Sequence, residues 1–91
     1  MTERVLLFSR NFKRHYKKFL RGGRYKKDDF EKVVEILIQD KKIPTSYRDH
    51  ALIDHHAERE LHIKPDWLLI YKCSEEYVRF IDTGSHADLF S

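Results

Sequence analysis

Trp67-Leu68-Leu69-Ile70-Tyr71 is the longest apolar run in the chain, with Pro65-Asp66 before it and Ser74-Glu75-Glu76 after it. An apolar run without alternation reads as a strand buried on both faces, so it belongs at the centre of a sheet. Pro65 lacks a backbone donor and interrupts pairing ahead of it. A strand starting near Glu58 alternates on the other side of that break: Arg59, Leu61 and Ile63 share one face, and Glu58, Glu60 and His62 the other. Ser74-Glu75-Glu76 turns the chain into a third strand, Tyr77 to Asp82, after which Thr83-Gly84-Ser85 leads into a short tail.

Upstream, Val5 to Phe8 reads as a strand, and Ser9 can cap a helix whose Phe12, Tyr16, Phe19 and Leu20 recur on one face. Gly22-Gly23 supplies its stop. A second helix is predicted to open at Asp28, with Glu31 completing a capping pair, and to bury Phe30, Val33, Val34, Leu37 and Ile38. Lys41, Lys42 and Pro44 should end it, and residues 45–57 lack any period and read as loop. The order strand, helix, helix, three strands gives one α+β domain over residues 1–91. Its antiparallel sheet is covered on one face by the helical hairpin. Two helices cannot cover both faces, so the open face is where a ligand would lie.

Ninety-one residues bury too little surface to enclose a large cofactor, so none is expected. Cys73 is the single cysteine, which excludes an intramolecular disulfide and a cysteine-based zinc site and suits a reducing cytoplasm. No run approaches the length that spans a bilayer, and no export signal opens the chain, so no membrane partner is expected. Charge is uneven. Met1 to Lys27 carries ten Lys or Arg against one acid, Glu3, a net +9, whereas residues 28–91 carry eight cations against fourteen acids. Such a segment suits a polyanion, although an acidic protein or plain solvation of a helix face would satisfy it equally.

Five of the six histidines lie at or after His50. If the sheet is antiparallel, His50, His62, Asp66 and His86 can converge on its open face. Imidazoles and a carboxylate are zinc ligands, but no HExxH pattern or paired helical spacing is present, which argues against a metal. Metal-free cleavage of RNA uses the same residues better. The 2′-hydroxyl is a built-in nucleophile that needs a base, an acid for the departing 5′ oxygen, and cations for the phosphate. Imidazole serves both proton transfers near neutrality. Arg59 or Lys64 could supply the cation, and Phe90 or Tyr47 could stack on a splayed base.

Three blocks, Tyr47-Arg48-Asp49-His50-Ala51-Leu52, Arg59 through Lys72, and Thr83 through Phe90, together resemble the YafQ branch of the RelE-like toxins of bacterial type II toxin-antitoxin systems. The resemblance implies an endoribonuclease that enters the ribosomal A site, cuts the bound mRNA and is held in check by a cognate antitoxin protein. It implies active-site roles for His50, His62, Asp66 and His86, with Phe90 positioning substrate. His86 would be the general acid, and the His50, His62 and Asp66 group would activate the 2′-hydroxyl. Operator DNA would be met only through the toxin-antitoxin complex, by analogy.

Two departures from the family pattern carry consequences. The segment Leu52 to Glu58 is one residue short, which bears on the placement of His50. Asp82 stands where many relatives carry arginine, and a carboxylate beside a scissile phosphate would oppose its charge. Arg79 is expected on the other strand face, which leaves Arg59 as the substitute. These departures keep a second reading open: a RelE-like module that binds RNA or antitoxin without cleaving.

Overall fold

The computed structural model describes residues 3–52 and 57–90. Among them the chain runs β1 (Val5–Phe8), α1 (Arg10–Arg21), α2 (Lys27–Ile38), a 3₁₀ turn (Thr45–Tyr47), β2 (His50–Ala51), β3 (Arg59–Lys64), β4 (Trp67–Cys73), β5 (Tyr77–Gly84) and α3 (His86–Phe90). The sheet order is β1-β5-β4-β3-β2, so the apolar strand β4 is central. β3, β4 and β5 are antiparallel, as expected, and β1 adds to β5 in parallel. The sheet is therefore mixed, and β2 makes a fifth strand where loop was expected.

The Ser9 cap forms: its hydroxyl accepts the Phe12 N–H at 3.0 Å and donates to the Ile81 carbonyl at 2.6 Å, tying the start of α1 to β5. α2 begins one residue earlier than predicted, at Lys27, with no side-chain cap from Asp28. It ends at Ile38 because Asp40 takes a left-handed conformation (φ 53°) and Lys41 N–H returns to the Ile36 carbonyl, before the lysines and Pro44 are reached. Phe12, Phe30, Val33 and Leu37 from the helices meet Leu61, Ile63, Trp67, Leu69, Tyr71, Val78 and Phe80 from the sheet in one core. Trp67 donates its indole N–H to Thr83, whose hydroxyl donates to the Leu68 carbonyl, so the core's largest polar tip is satisfied.

β5 carries a bulge at Ile81, since Ile70 pairs with Asp82 and the next residue, Tyr71, with Phe80. An extra residue resets the two-residue alternation. Arg79 pairs with Lys72 and, flanked by the core residues Val78 and Phe80, it lies on the face the helices leave open. This corrects the expected parity. Asp82 is also not a free carboxylate: His15 of α1 donates to it at 2.6 Å and the Thr83 N–H at 2.8 Å. The short segment that sets off Leu52 to Glu58 falls mostly on residues 53–56, outside the described residues.

Candidate active site

Alternation along β3 turns Glu60 and His62 to the open face and Leu61 and Ile63 into the core. β2 lies beside Glu60, with His50 as its register partner. The β3–β4 turn carries Asp66, and the end of β5 delivers His86 as the first residue of α3. His50, His62, Asp66 and His86 thus come together, although the first and last lie 36 positions apart in the chain.

Their centre is a residue the sequence reasoning passed over. Glu60 is 5% exposed, and its Oε1 lies 3.4 Å from His62 Nε2 and 3.6 Å from His50 Nε2. The signal was present, because period two already assigned Glu60 to the His62 face. His50 Nδ1 is 2.9 Å from the Arg48 carbonyl, which makes that nitrogen the donor and leaves Nε2 toward Glu60. His62 Nε2 is buried with no hydrogen-bond partner among the described residues. Burial pushes His62 below the ordinary imidazole range; Glu60 pulls it back up, and the charges of Arg48, His86 and His50 add to the depression. A neutral His62 at pH 7 follows.

The His62 and His86 rings meet edge to face with centroids 5.6 Å apart, and Phe90 is 6.2 Å beyond His86. Asp66 lies against His86 rather than with His50 and His62: it accepts the His86 backbone N–H at 3.3 Å and approaches Nδ1 at 3.6 Å. The residues expected to form a short tail build α3 through a reciprocal cap. Asp88 N–H reaches Ser85 Oγ at 3.2 Å, and Ser85 N–H reaches Asp88 Oδ2 at 3.0 Å. The backbone N–H of Ser85 holds the Asp88 carboxyl below its usual range.

The three expected substrate contacts are placed differently from one another. Phe90 is half exposed beside His86. Lys64 reaches α2, 3.6 Å from Asp29. Arg59 projects to the side opposite His62, where Nη2 and Nε bind Asp49 at 2.7 and 3.1 Å and Tyr71 donates its hydroxyl to the same carboxylate. That hydrogen bond to Asp49 raises the Arg59 pKa further, and burial raises that of Tyr71. Arg59 therefore secures the segment that carries Arg48 and His50. Among described residues, one set could hold a metal ion: Glu60, His62 and His86 offer ligand atoms within 4.8 Å of one another. Two imidazoles and a carboxylate suit zinc or copper.

Comparison with known proteins identifies the family and the fold. The profile of a family described as the bacterial toxin of type II toxin-antitoxin system, YafQ, matches residues 4–91. The mRNA interferase toxin YafQ of Escherichia coli (strain B / BL21-DE3) is 45% identical over 49 residues, 53% of each chain, so the matched segment spans about half the length of that relative. The toxin chain in a crystal structure of the Escherichia coli DinJ-YafQ complex superposes with a TM-score of 0.87 at 31% identity, over 98% of this chain and 100% of that one. A metal-bound toxin from Helicobacter pylori superposes at 0.85 with 30% identity, over 94% and 98%.

Proposed function

The chain belongs to the YafQ family of toxins from bacterial type II toxin-antitoxin systems, and from that premise we propose that it is a ribosome-dependent mRNA endoribonuclease. The observation that carries the proposal is the facing pair His62 and His86, rings 5.6 Å apart, each backed by its own carboxylate, Glu60 or Asp66. Neutral His62, with His50 and Glu60 behind it, takes the proton of the 2′-hydroxyl. His86 gives a proton to the departing 5′ oxygen, with Asp66 orienting its ring. The 2′ oxygen attacks the phosphorus as the bond to the 5′ oxygen breaks, leaving a 2′,3′-cyclic phosphate that water can open. Lys72 and Arg79, side by side on the open face, suit the passing backbone.

Ribosomes programmed with mRNA provide the test. His86→Ala should slow cutting roughly 10²- to 10⁴-fold, and a 2′-deoxy nucleotide at the cut position should abolish it. Cleavage of the deoxy substrate at the normal rate overturns the chemistry. A chelator should leave cutting unchanged, whereas saturating zinc should suppress it, because the ion would occupy the imidazole nitrogens that move protons.

The Escherichia coli relative is solved with DinJ, which supports a cognate antitoxin for this chain; an acidic, partly disordered protein suits the basic first third. Operator DNA would be reached through that complex. Among described residues no helix is long and apolar enough to cross a membrane, and a ribosomal target places the work in the cytoplasm. The alternative, a module that binds without cutting, loses one of its grounds because Asp82 is paired with His15. Growth arrest with intact mRNA would favour it.

A further inference from the structure

β2 is only two residues long and pairs with Arg59 and Glu60, so among the described residues the outer edge of β3 beyond Glu60 has no neighbouring strand. A cleft of about 330 Å³ opens there between β3, the 3₁₀ turn and α2. His62 forms part of its wall, and with it stand Tyr47, Arg48, Lys32, Lys64 and Asp29. Three cations face one carboxylate, and that carboxylate is already paired with Lys64. Arg48 and Lys32 make no ion pair among the described residues. Arg48 is held in a left-handed conformation, φ 51°, by the 3₁₀ turn before it and by Asp49 after it, which Arg59 and Tyr71 clamp. The same His62 ring faces His86 at 5.6 Å, so the cleft adjoins the acid–base pair.

We propose that this cleft is the subsite for the nucleotide whose 2′-hydroxyl is attacked, with its base against Tyr47 and its 5′-side phosphate on Arg48 and Lys32. The inference rests on the nuclease reading and fixes the direction of the RNA across it. His86, the acid, protonates the 5′ oxygen of the downstream nucleotide, so that nucleotide lies toward Phe90. The upstream nucleotide must then lie on the His62 side, where the cleft begins. The scissile phosphate bridges the two imidazoles. A nucleoside monophosphate matches the smaller end of the volumes small-molecule sites occupy, and a ring plus unpaired cations is the usual equipment for a single splayed nucleotide. Cut-site preference would then be read at Tyr47 and its surroundings rather than at Phe90.

The polarity makes the test specific. The isolated protein is titrated by NMR with three probes: adenosine 3′-monophosphate, adenosine 5′-monophosphate and adenosine 3′,5′-bisphosphate. The bisphosphate should bind about tenfold tighter than the 3′-monophosphate, with shifts at Tyr47, Arg48 and His62. Arg48→Ala should erase that margin. Tyr47 also packs on the core, so two variants separate stacking from folding: Tyr47→Phe should bind like the parent, and Tyr47→Leu about tenfold more weakly.

A bisphosphate that binds no tighter than the 3′-monophosphate, or a 5′-monophosphate that binds without shifts at Tyr47 and Arg48, would overturn the proposal. So would parental affinity for all three probes in both Arg48→Ala and Tyr47→Leu, or no saturable binding of any probe to the parent. A nuclease that cuts programmed ribosomes at unchanged positions and rate in Tyr47→Leu sinks the subsite alone. Absence of cutting beside intact nucleotide binding sinks the nuclease reading alone.

Discussion

At the scale of single residues, the site depends on a buried carboxylate surrounded by imidazoles. Glu60 opposes the burial that lowers the His62 pKa, so Glu60→Gln should lower it further. His62 acts as base only when neutral, and the acidic limb of the pH–rate profile reports where it takes up its proton. That limb should lie below pH ~6.5 in the parent, and lower still in Glu60→Gln; an upward move would assign the base elsewhere. The same depressed pKa sets a stability trend. The unfolded chain binds this proton more readily, so the neutral buried His62 favours the fold above pH ~6.5 and progressively less as pH falls toward its folded value.

Asp49 is the corresponding single point on the other side of β3. Asp49→Ala leaves the Tyr71 hydroxyl without its partner and releases Arg59, which should cost about 2 kcal/mol in urea unfolding. Asp49→Asn keeps an acceptor and should recover part of that. Full parental stability in Asp49→Ala would remove Arg59 from its positioning role.

At the scale of elements, α3 is the piece that brings His86 to His62, and its geometry is set by Gly84. That residue has φ 155°, and a Cβ there would stand 2.9 Å from the Asp88 Cβ. Gly84→Ala should therefore break the Ser85–Asp88 cap, at roughly 1–3 kcal/mol of local strain, and displace His86 while the core of β4 and β5 stays intact. Programmed ribosomes should show at least tenfold slower cutting with little change in the near-ultraviolet signal of Trp67. Parental cutting would show that α3 tolerates a shifted start. The cap was legible in Ser85-x-x-Asp88, yet the glycine before it drew the reading toward a turn and tail.

Much of the framework could be read because its causes are local. Ser9 ahead of Phe12, the alternation of β3 and the unbroken apolar run of β4 each act within a few residues. What escaped depends on contacts between distant segments. β1 chooses β5 in parallel across some seventy residues, and nothing in Val5 to Phe8 encodes that partner. The bulge at Ile81 moves Arg79 to the open face because β5 must meet both β1 and β4, and no local propensity announces it. Arg59 drew attention as a spare cation, but its partners, Asp49 and Tyr71, come together only in the folded sheet. The four expected catalytic residues do gather, whereas the arrangement that pairs Asp66 with His86 and seats Glu60 between His50 and His62 arises only from contacts between segments distant in sequence.

At the scale of the whole molecule, charge and catalysis are separated. Arg10, Lys13, Arg14, Lys17, Lys18 and Arg21 line one exposed side of α1, while the His62–His86 site occupies the sheet face that α1 and α2 leave open. A cationic helix can therefore grip ribosomal RNA while the open face holds mRNA, without the two anions competing for one surface. Every phosphate met by a cation releases counterions, so the logarithm of affinity falls linearly with the logarithm of salt, by roughly 0.7–0.9 per contact. Replacing Lys13, Arg14, Lys17 and Arg21 by Gln should weaken ribosome binding and flatten that slope by about three. Adenosine 3′,5′-bisphosphate binding should stay at the parental value, because the cleft lies with α2 and β3 rather than α1. An unchanged slope would move the ribosomal contact off α1, and the next cations to test would be Lys72 and Arg79 on the open face.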